Sequence, residues 1–184
     1  MKSIIRKIKL KGIRPIMFDR YPGNNKTALM PEQKMYLGDQ NELIFPALNI
    51  QSFLCAENTK SAVKSLYDSR QYKKIAQAVL GFVTIDPFEI PFLNDSGKPI
   101  IFEGFGKNGI TCIEQVARLA KGVPNPKQRP QLDTPWSLSF KITLFENDDV
   151  DELGVRMLFE KGGILLGFGT YRGVYGKFLV DFWK

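Results

Sequence analysis

An α+β fold of the split βαβ kind is predicted by three features of the sequence. Residues 3–11 and 136–145 alternate apolar with polar side chains, the period of a half-buried strand. Each of these segments is followed further on by a stretch with helical periodicity. Each helical stretch then gives way to a β-rich run, so that strand, helix, strand occurs twice. A chain of 184 residues with 43% hydrophobic side chains is long enough for one domain with a real core, expected to span 1–184.

In the first strand Ile4, Arg6, Ile8 and Leu10 alternate with Ile5, Lys7, Lys9 and Lys11, so one face is mostly apolar and the other carries three lysines. Gly12, Pro15 and the run from Tyr21 to Asn25 break it into a long loop holding Arg14 and Arg20. Lys34 to Phe45 reads as a hairpin turning at Gly38-Asp39-Gln40-Asn41. Pro46 opens a helix with Ile50, Phe53 and Leu54 on one face, and a second helical piece passes through Val63, Leu66 and Tyr67. Val79 to Ile85 is read as a strand bounded by Asp86-Pro87.

An insertion at about 86–135 separates the halves. Thr111 and Glu114 have capping-box spacing, and Ile113, Val116, Ala117 and Ala120 form a stripe that Gly122 can end, so a helix is expected there. Val123 to Pro135 holds four prolines with Lys127 and Arg129 and is expected to be an exposed loop. Trp136 to Phe145 is the clearest strand, with Trp136, Leu138, Phe140, Ile142 and Leu144 facing the core. Asn147 or Asp148 can cap the next helix, and Asp149, Asp151 and Glu152 suit its positive end. Val150, Leu153 and Met157 make its expected buried stripe, and Gly162-Gly163 its stop. Phe178 to Trp183 forms the last strand. The order is that of a ferredoxin-like fold: a four-stranded antiparallel sheet, strands 3–11 and 136–145 adjacent, helices on one face, and the insertion between the halves.

Composition narrows the chemistry. Histidine is absent, which removes imidazole acid–base catalysis, histidine-activated nucleophiles and imidazole metal ligands. The acids at 146–152 fit helix capping better than metal binding. No catalytic residue, metal or cofactor is therefore expected. Cys55 and Cys112 have no metal-ligand spacing; two free thiols in a reducing cytoplasm are preferred over one disulfide. No window approaches ~18 consecutive apolar residues, so no membrane span is expected, and Met1 to Leu10 lacks the apolar core of a secretory signal. The net charge is +7, and the cations gather in residues 2–26 and 161–184. A basic surface suits an acidic partner.

The segment richest in chemical content is 162–178, where six of seventeen residues are glycine. Gly167, Gly169, Gly173 and Gly176 can take left-handed conformations and bring backbone N–H groups close to an anion. Arg172 and Lys177 supply charge for phosphates, and Tyr171 and Tyr175 supply flat faces for bases. No Gly-Lys-Ser/Thr is present, and Arg172 stands where a dinucleotide loop needs its third glycine. Gly162 and Gly163 read as structural; Gly169 to Lys177 reads as ligand-binding. The row Lys7, Lys9, Lys11 fits a phosphate track or a solubilising strand face equally.

A helix, a glycine-rich loop ending in Arg172-Gly173-Val174-Tyr175-Gly176-Lys177-Phe178, and then a strand resemble the C-terminal signature of the RAMP superfamily of CRISPR RNA-binding proteins. The lead-in Pro46-Ala47-Leu48-Asn49-Ile50 is also similar. Small phage and prophage proteins of this kind share an Arg-Pro, a strand Trp and a terminal G-x-F, here Arg129-Pro130, Trp136 and Gly176-Lys177-Phe178. The resemblance implies that the loop lies against RNA on a ferredoxin-like sheet. The lack of histidine and the short chain depart from the members that cleave RNA or build filaments.

The expected function is non-catalytic binding of single-stranded nucleic acid, RNA before DNA. The residues expected to carry it are Lys7, Lys9, Lys11, Arg14, Arg20, Arg129 and the loop residues Gly167, Gly169, Tyr171, Arg172, Gly173, Tyr175, Gly176 and Lys177. The alternative is a phage-encoded module that binds an acidic protein surface and inhibits or mimics a subunit of a host complex. A nuclease or transferase ranks last. A homo-oligomer and a subunit of a ribonucleoprotein both remain open as assembly states.

Overall fold

The computed structural model describes residues 2–24, 26–118 and 124–184. Its first strand, β1 (Ser3–Gly12), follows the alternation: Ile8 and Leu10 are buried while Lys7, Lys9 and Lys11 are exposed. The remaining strands are β2 (Ile16–Met17), β3 (Tyr36–Leu37), β4 (Leu43–Pro46), β5 (Val83–Asp86), β6 (Glu89–Leu93), β7 (Ile110–Arg118), β8 (Pro124–Leu132), β9 (Ser137–Phe145) and β10 (Phe178–Trp183). The helices are α1 (Ala47–Cys55), α2 (Ala62–Leu66), α3 (Tyr72–Phe82) and α4 (Glu152–Leu165), with a 3-10 turn at Pro31–Lys34.

The molecule is a mixed α/β fold with antiparallel sheets, not the plain four-stranded sheet expected. One sheet has seven strands in the order β10-β1-β9-β6-β4-β3, with β5 also paired to β9. The strand at 3–12 does lie beside that at 137–145, with Ser3 opposite Phe145 and Lys11 opposite Ser137. Strands β5 and β6 sit end to end along the far edge of β9, broken at Pro87-Phe88. The extra strands come from the hairpin at 36–46, which turns where expected, and from the insertion.

The insertion differs most from its expectation. Ile110–Arg118 is a strand, not a helix, and pairs with Pro124–Leu132 over nine residue pairs. Ile110, Thr111, Ile113 and Val116 are β-branched and favour a pleated surface once a partner strand is available. Ala120, Gly122 and Val123, which the helix and loop expectations used, lie outside the described residues. The prolines of β8 obey a rule of phase. Pro124, Pro126 and Pro130 share one parity, and the Pro130 carbonyl accepts from Phe18 N at 2.9 Å on the β2 side. The N–H groups these prolines lack would therefore point away from β7, where the ladder does not need them. With β2 this hairpin forms a second sheet, order β2-β8-β7.

Helix α4 starts later and turns differently from its expectation. Asp151 Oδ1 caps it by accepting from Gly154 N at 2.7 Å, while Asn147 forms a turn just upstream. Its buried face is Val155, Leu158, Phe159, Gly162 and Gly163, and Leu153 is 73% exposed. The two glycines do not stop the helix. They let it pack closely: a Cβ on Gly162 would lie 2.8 Å from Phe53, and one on Gly163 2.7 Å from the Phe178 carbonyl. Around this contact Phe45, Phe53, Phe168 and Phe178 pack together at the centre of one buried cluster that draws on both ends of the chain. No helix among the described residues is long and apolar enough to cross a membrane. Both cysteines are free, Cys55 buried and Cys112 half-buried.

Candidate nucleic-acid interface

The glycine-rich loop after α4 is positioned by backbone contacts. Gly167, Gly169, Gly173 and Gly176 all have positive φ, as does Tyr171 at 54°. Phe168 N donates to the Gly176 carbonyl at 2.9 Å, Thr170 N to the Met17 carbonyl at 2.9 Å, and Gly176 N to the Pro15 carbonyl at 2.7 Å. A Cβ on Gly176 would lie 2.1 Å from the Phe168 carbonyl and one on Gly169 2.4 Å from that of Met17. These glycines fold the loop onto itself and onto β2, and the N–H groups of Phe168, Thr170 and Gly176 are used internally. Gly173 differs, with nothing nearer its Cβ position than the Leu165 carbonyl at 3.8 Å.

The loop presents side chains instead of a backbone cradle. Arg172 projects into a cleft of about 430 Å³ with Arg20, Lys34, Tyr36, Asn49, Thr59 and Thr170 on its walls and Phe45 and Phe168 below. Its Nη1 donates to the Lys60 carbonyl, and burial lowers its pKa from the ordinary arginine value. The Arg20 guanidinium lies 4.9 Å from the centre of the Tyr36 ring. A second cleft of about 560 Å³ shares Asp19, Arg20 and Lys34 with the first and continues to Met30, Lys127 and Gln128. The two form one trough from the glycine loop to the β7–β8 hairpin, lined by four cations, Arg20, Lys34, Lys127 and Arg172, against two acids, Asp19 and Glu114.

Asp19 sits at their junction. Its Oδ2 accepts from Arg129 Nε at 2.8 Å, and its Oδ1 is 3.7 Å from Lys34 Nζ, which also donates to the Gln128 carbonyl at 2.6 Å. Arg129, expected on an exposed loop, is only 5% exposed in β8, with its guanidinium 5.0 Å from the centre of the Tyr171 ring. Its Nη1 has no hydrogen-bond partner among the described residues. Arg129 thus braces Asp19 and Tyr171 from behind. Tyr175 faces β7, its hydroxyl accepting from Gln115 Nε2 at 2.8 Å.

The residues singled out from sequence fall into two groups. Arg20, Gly169 and Arg172 line the trough, while Tyr171 and Arg129 pack on each other and line neither cleft. Lys7, Lys9 and Lys11 line neither cleft and stand on the open face of the large sheet. Arg14 and Lys177 line neither cleft and are joined through Arg14 N and the Lys177 carbonyl at 3.3 Å; the Arg14 carbonyl accepts from Trp136 Nε1. The sequence reading missed Lys34, Tyr36, Asn49, Thr59 and Lys127 in the trough. The aromatic and cation at the start of the hairpin, Lys34 and Tyr36, were the available signal.

No family model matches the chain, and no curated protein matches it. Among solved structures, the fold resembles a chain in the cryo-EM structure of the type III-B Cmr-beta bound to cognate target RNA, with TM-score 0.55 and 12% identity. The likeness covers 100% of this chain, which spans 60% of the length of that one.

Proposed function

We propose that this chain binds single-stranded nucleic acid, RNA in preference to DNA, without cleaving it. The observation that carries the reading is the trough, where Arg20, stacked over Tyr36, shares a cleft with Lys34 and Arg172 beside the glycine-rich loop. Cations that track a backbone, next to rings on which bases stack, are the two components of single-strand binding, and each stacked base contributes ~1–3 kcal/mol. The preference for RNA rests on the likeness to a chain in an RNA-bound structure and on the RAMP-like loop at 162–178. In this reading β10-β1-β9-β5 is a ferredoxin-like sheet, and the other strands are additions to it in one domain. The chain would act as a cytoplasmic ribonucleoprotein subunit or a homo-oligomer.

The absence of histidine from the sequence supports a non-catalytic role. Labelled RNA should survive long incubation with Mg²⁺ or Mn²⁺; cleavage that disappears on mutating an acidic residue would reverse this part of the proposal. Binding is tested by fluorescence anisotropy with a labelled single-stranded RNA across a salt series. Contact with roughly 4–6 phosphates gives a log–log slope of about −3 to −4. A flat salt dependence, or no binding at low salt, sinks the reading and leaves the protein-partner alternative.

A further inference from the structure

Pairing in the large sheet creates a cationic surface that no single segment of the sequence shows. Lys7 lies directly opposite Lys141 of β9. On its other side Lys7 exchanges backbone hydrogen bonds with Lys184, at 2.6 and 3.1 Å. Three lysines therefore stand abreast across three strands, spaced about 4.8 Å apart at the backbone. Lys9 and Lys11 extend the array along β1 at intervals of about 6.7 Å. All five are exposed, and the apolar partners of β1, Ile8 and Leu10, point the other way into the core.

Like charges directly opposite one another destabilise a sheet. Only two acids answer these lysines among the described residues: Asp181 lies 3.5 Å from Lys9, and Asp86 2.9 Å from Lys141. Neither Lys7 nor Lys11 has an acidic partner among the described residues. The face keeps a net of three positive charges in a geometry that costs stability, as expected of a surface that receives negative charge.

We propose that this open sheet face is a second nucleic-acid surface, distinct from the trough, and that it takes the phosphate backbone of a double-stranded segment. Across residues 7–11 of β1 and 137–141 of β9 the face offers lysines and serines and no ring on which an unstacked base could rest. A single ring stands beside the row, Phe182 of β10 opposite Lys9, with Lys184 Nζ 5.4 Å from its centre, against five lysines. A duplex presents phosphates and keeps its bases stacked, so it needs only the point charges that lysines supply. An acidic protein surface fits less well, because lysine is depleted from protein interfaces and the charged row of this face is made of lysine, without the arginine that interface hot spots favour. The proposal does not depend on single-strand binding in the trough.

The test uses the full chain, a short blunt-ended RNA duplex, a single-stranded RNA and poly-L-glutamate. The double variant Lys7→Gln/Lys11→Gln spares Lys9 and Lys141, so no aspartate loses its partner. Its melting temperature should be unchanged or raised. Its affinity for the duplex should fall about tenfold or more, and the salt slope should become shallower by about 2. Single-strand affinity should stay within about twofold, while Arg20→Ala shows the opposite pattern, as a residue of the trough. Duplex affinity that survives the lysine changes, or that is lost instead in Arg20→Ala, overturns the proposal. So does a parent protein that binds poly-L-glutamate but no duplex at low salt, which would give the face to an acidic protein. Loss of single-strand binding with duplex binding intact would sink the trough reading alone.

Discussion

Replacing Arg172 with alanine separates a binding role from a structural one. The guanidinium is half-buried, donates to the Lys60 carbonyl, and has no carboxylate within ion-pair distance among the described residues. Asp181, the nearest acid in sequence, pairs with Lys9 on the open sheet face. The substitution removes one hydrogen bond from a charged donor, worth roughly 1.5–3 kcal/mol when intact, and also relieves the cost of burying the charge. A net loss of about 1 kcal/mol lowers the melting temperature of a domain this size by about 2–4 °C. Binding should suffer more. If Arg172 contacts one phosphate, a charge-assisted hydrogen bond of about 1.5–3 kcal/mol is lost, a ten- to hundred-fold drop in affinity. The salt slope should become shallower by about 0.7. Thermal unfolding and anisotropy on the same preparation measure both quantities. An Arg172→Ala protein with parental affinity, or one that melts more than about 10 °C early, refutes the assignment.

Three other outcomes are expected. Gly176→Ala combines a left-handed φ of 66° with a Cβ 2.1 Å from the Phe168 carbonyl, so it should cost ~2–5 kcal/mol, far more than Gly173→Ala, which has space. Equal melting temperatures for the two variants would contradict the packing described for the loop. Hydrogen bonds from Arg6 and then Trp183 hold the Glu152 carboxyl below its usual pKa. A lowered carboxylate pKa stabilises the fold above the unfolded value of about 4.3 and loses that contribution as pH falls through the lower folded value. Glu152→Gln should therefore melt earlier than the parent near neutral pH, by at most about 1 kcal/mol, and the gap should close below about pH 4; a gap unchanged at pH 3 would rule out the linkage. Burial pushes the Cys55 thiol up to about 11. At pH 8 a thiol reagent should label the half-buried Cys112 and reach Cys55 only on unfolding, whereas early labelling of Cys55 would show that α1 opens in the native state.

Local pattern made the strands at 3–12 and 137–145 legible, because alternation there agrees with what the tertiary structure buries. It failed at 110–132 for a physical reason. Isolated spacing cannot distinguish a helix stripe from a strand that acquires a partner, and prolines confined to one parity look like a loop until the unused edge is known. The site was legible in its charges but not in its assembly. Arg20 and Arg172 stood out, yet the Lys34 and Tyr36 that share their cleft come from a hairpin whose placement only the fold decides. The four prolines of residues 123–135 make Arg129 look like part of an exposed loop; its ion pair with Asp19, distant in sequence, puts it inside.

The position of β1 has a consequence for synthesis. It is made first, yet its two neighbours in the sheet are β9 and β10, which are made last. While the ribosome works through the intervening residues, both edges of a ten-residue strand stay open. An apolar strand in that state would recruit others like it. Lysine at every second place from 7 to 11 keeps such a strand from stacking on a second copy of itself, so the charges on the open face also guard the nascent chain.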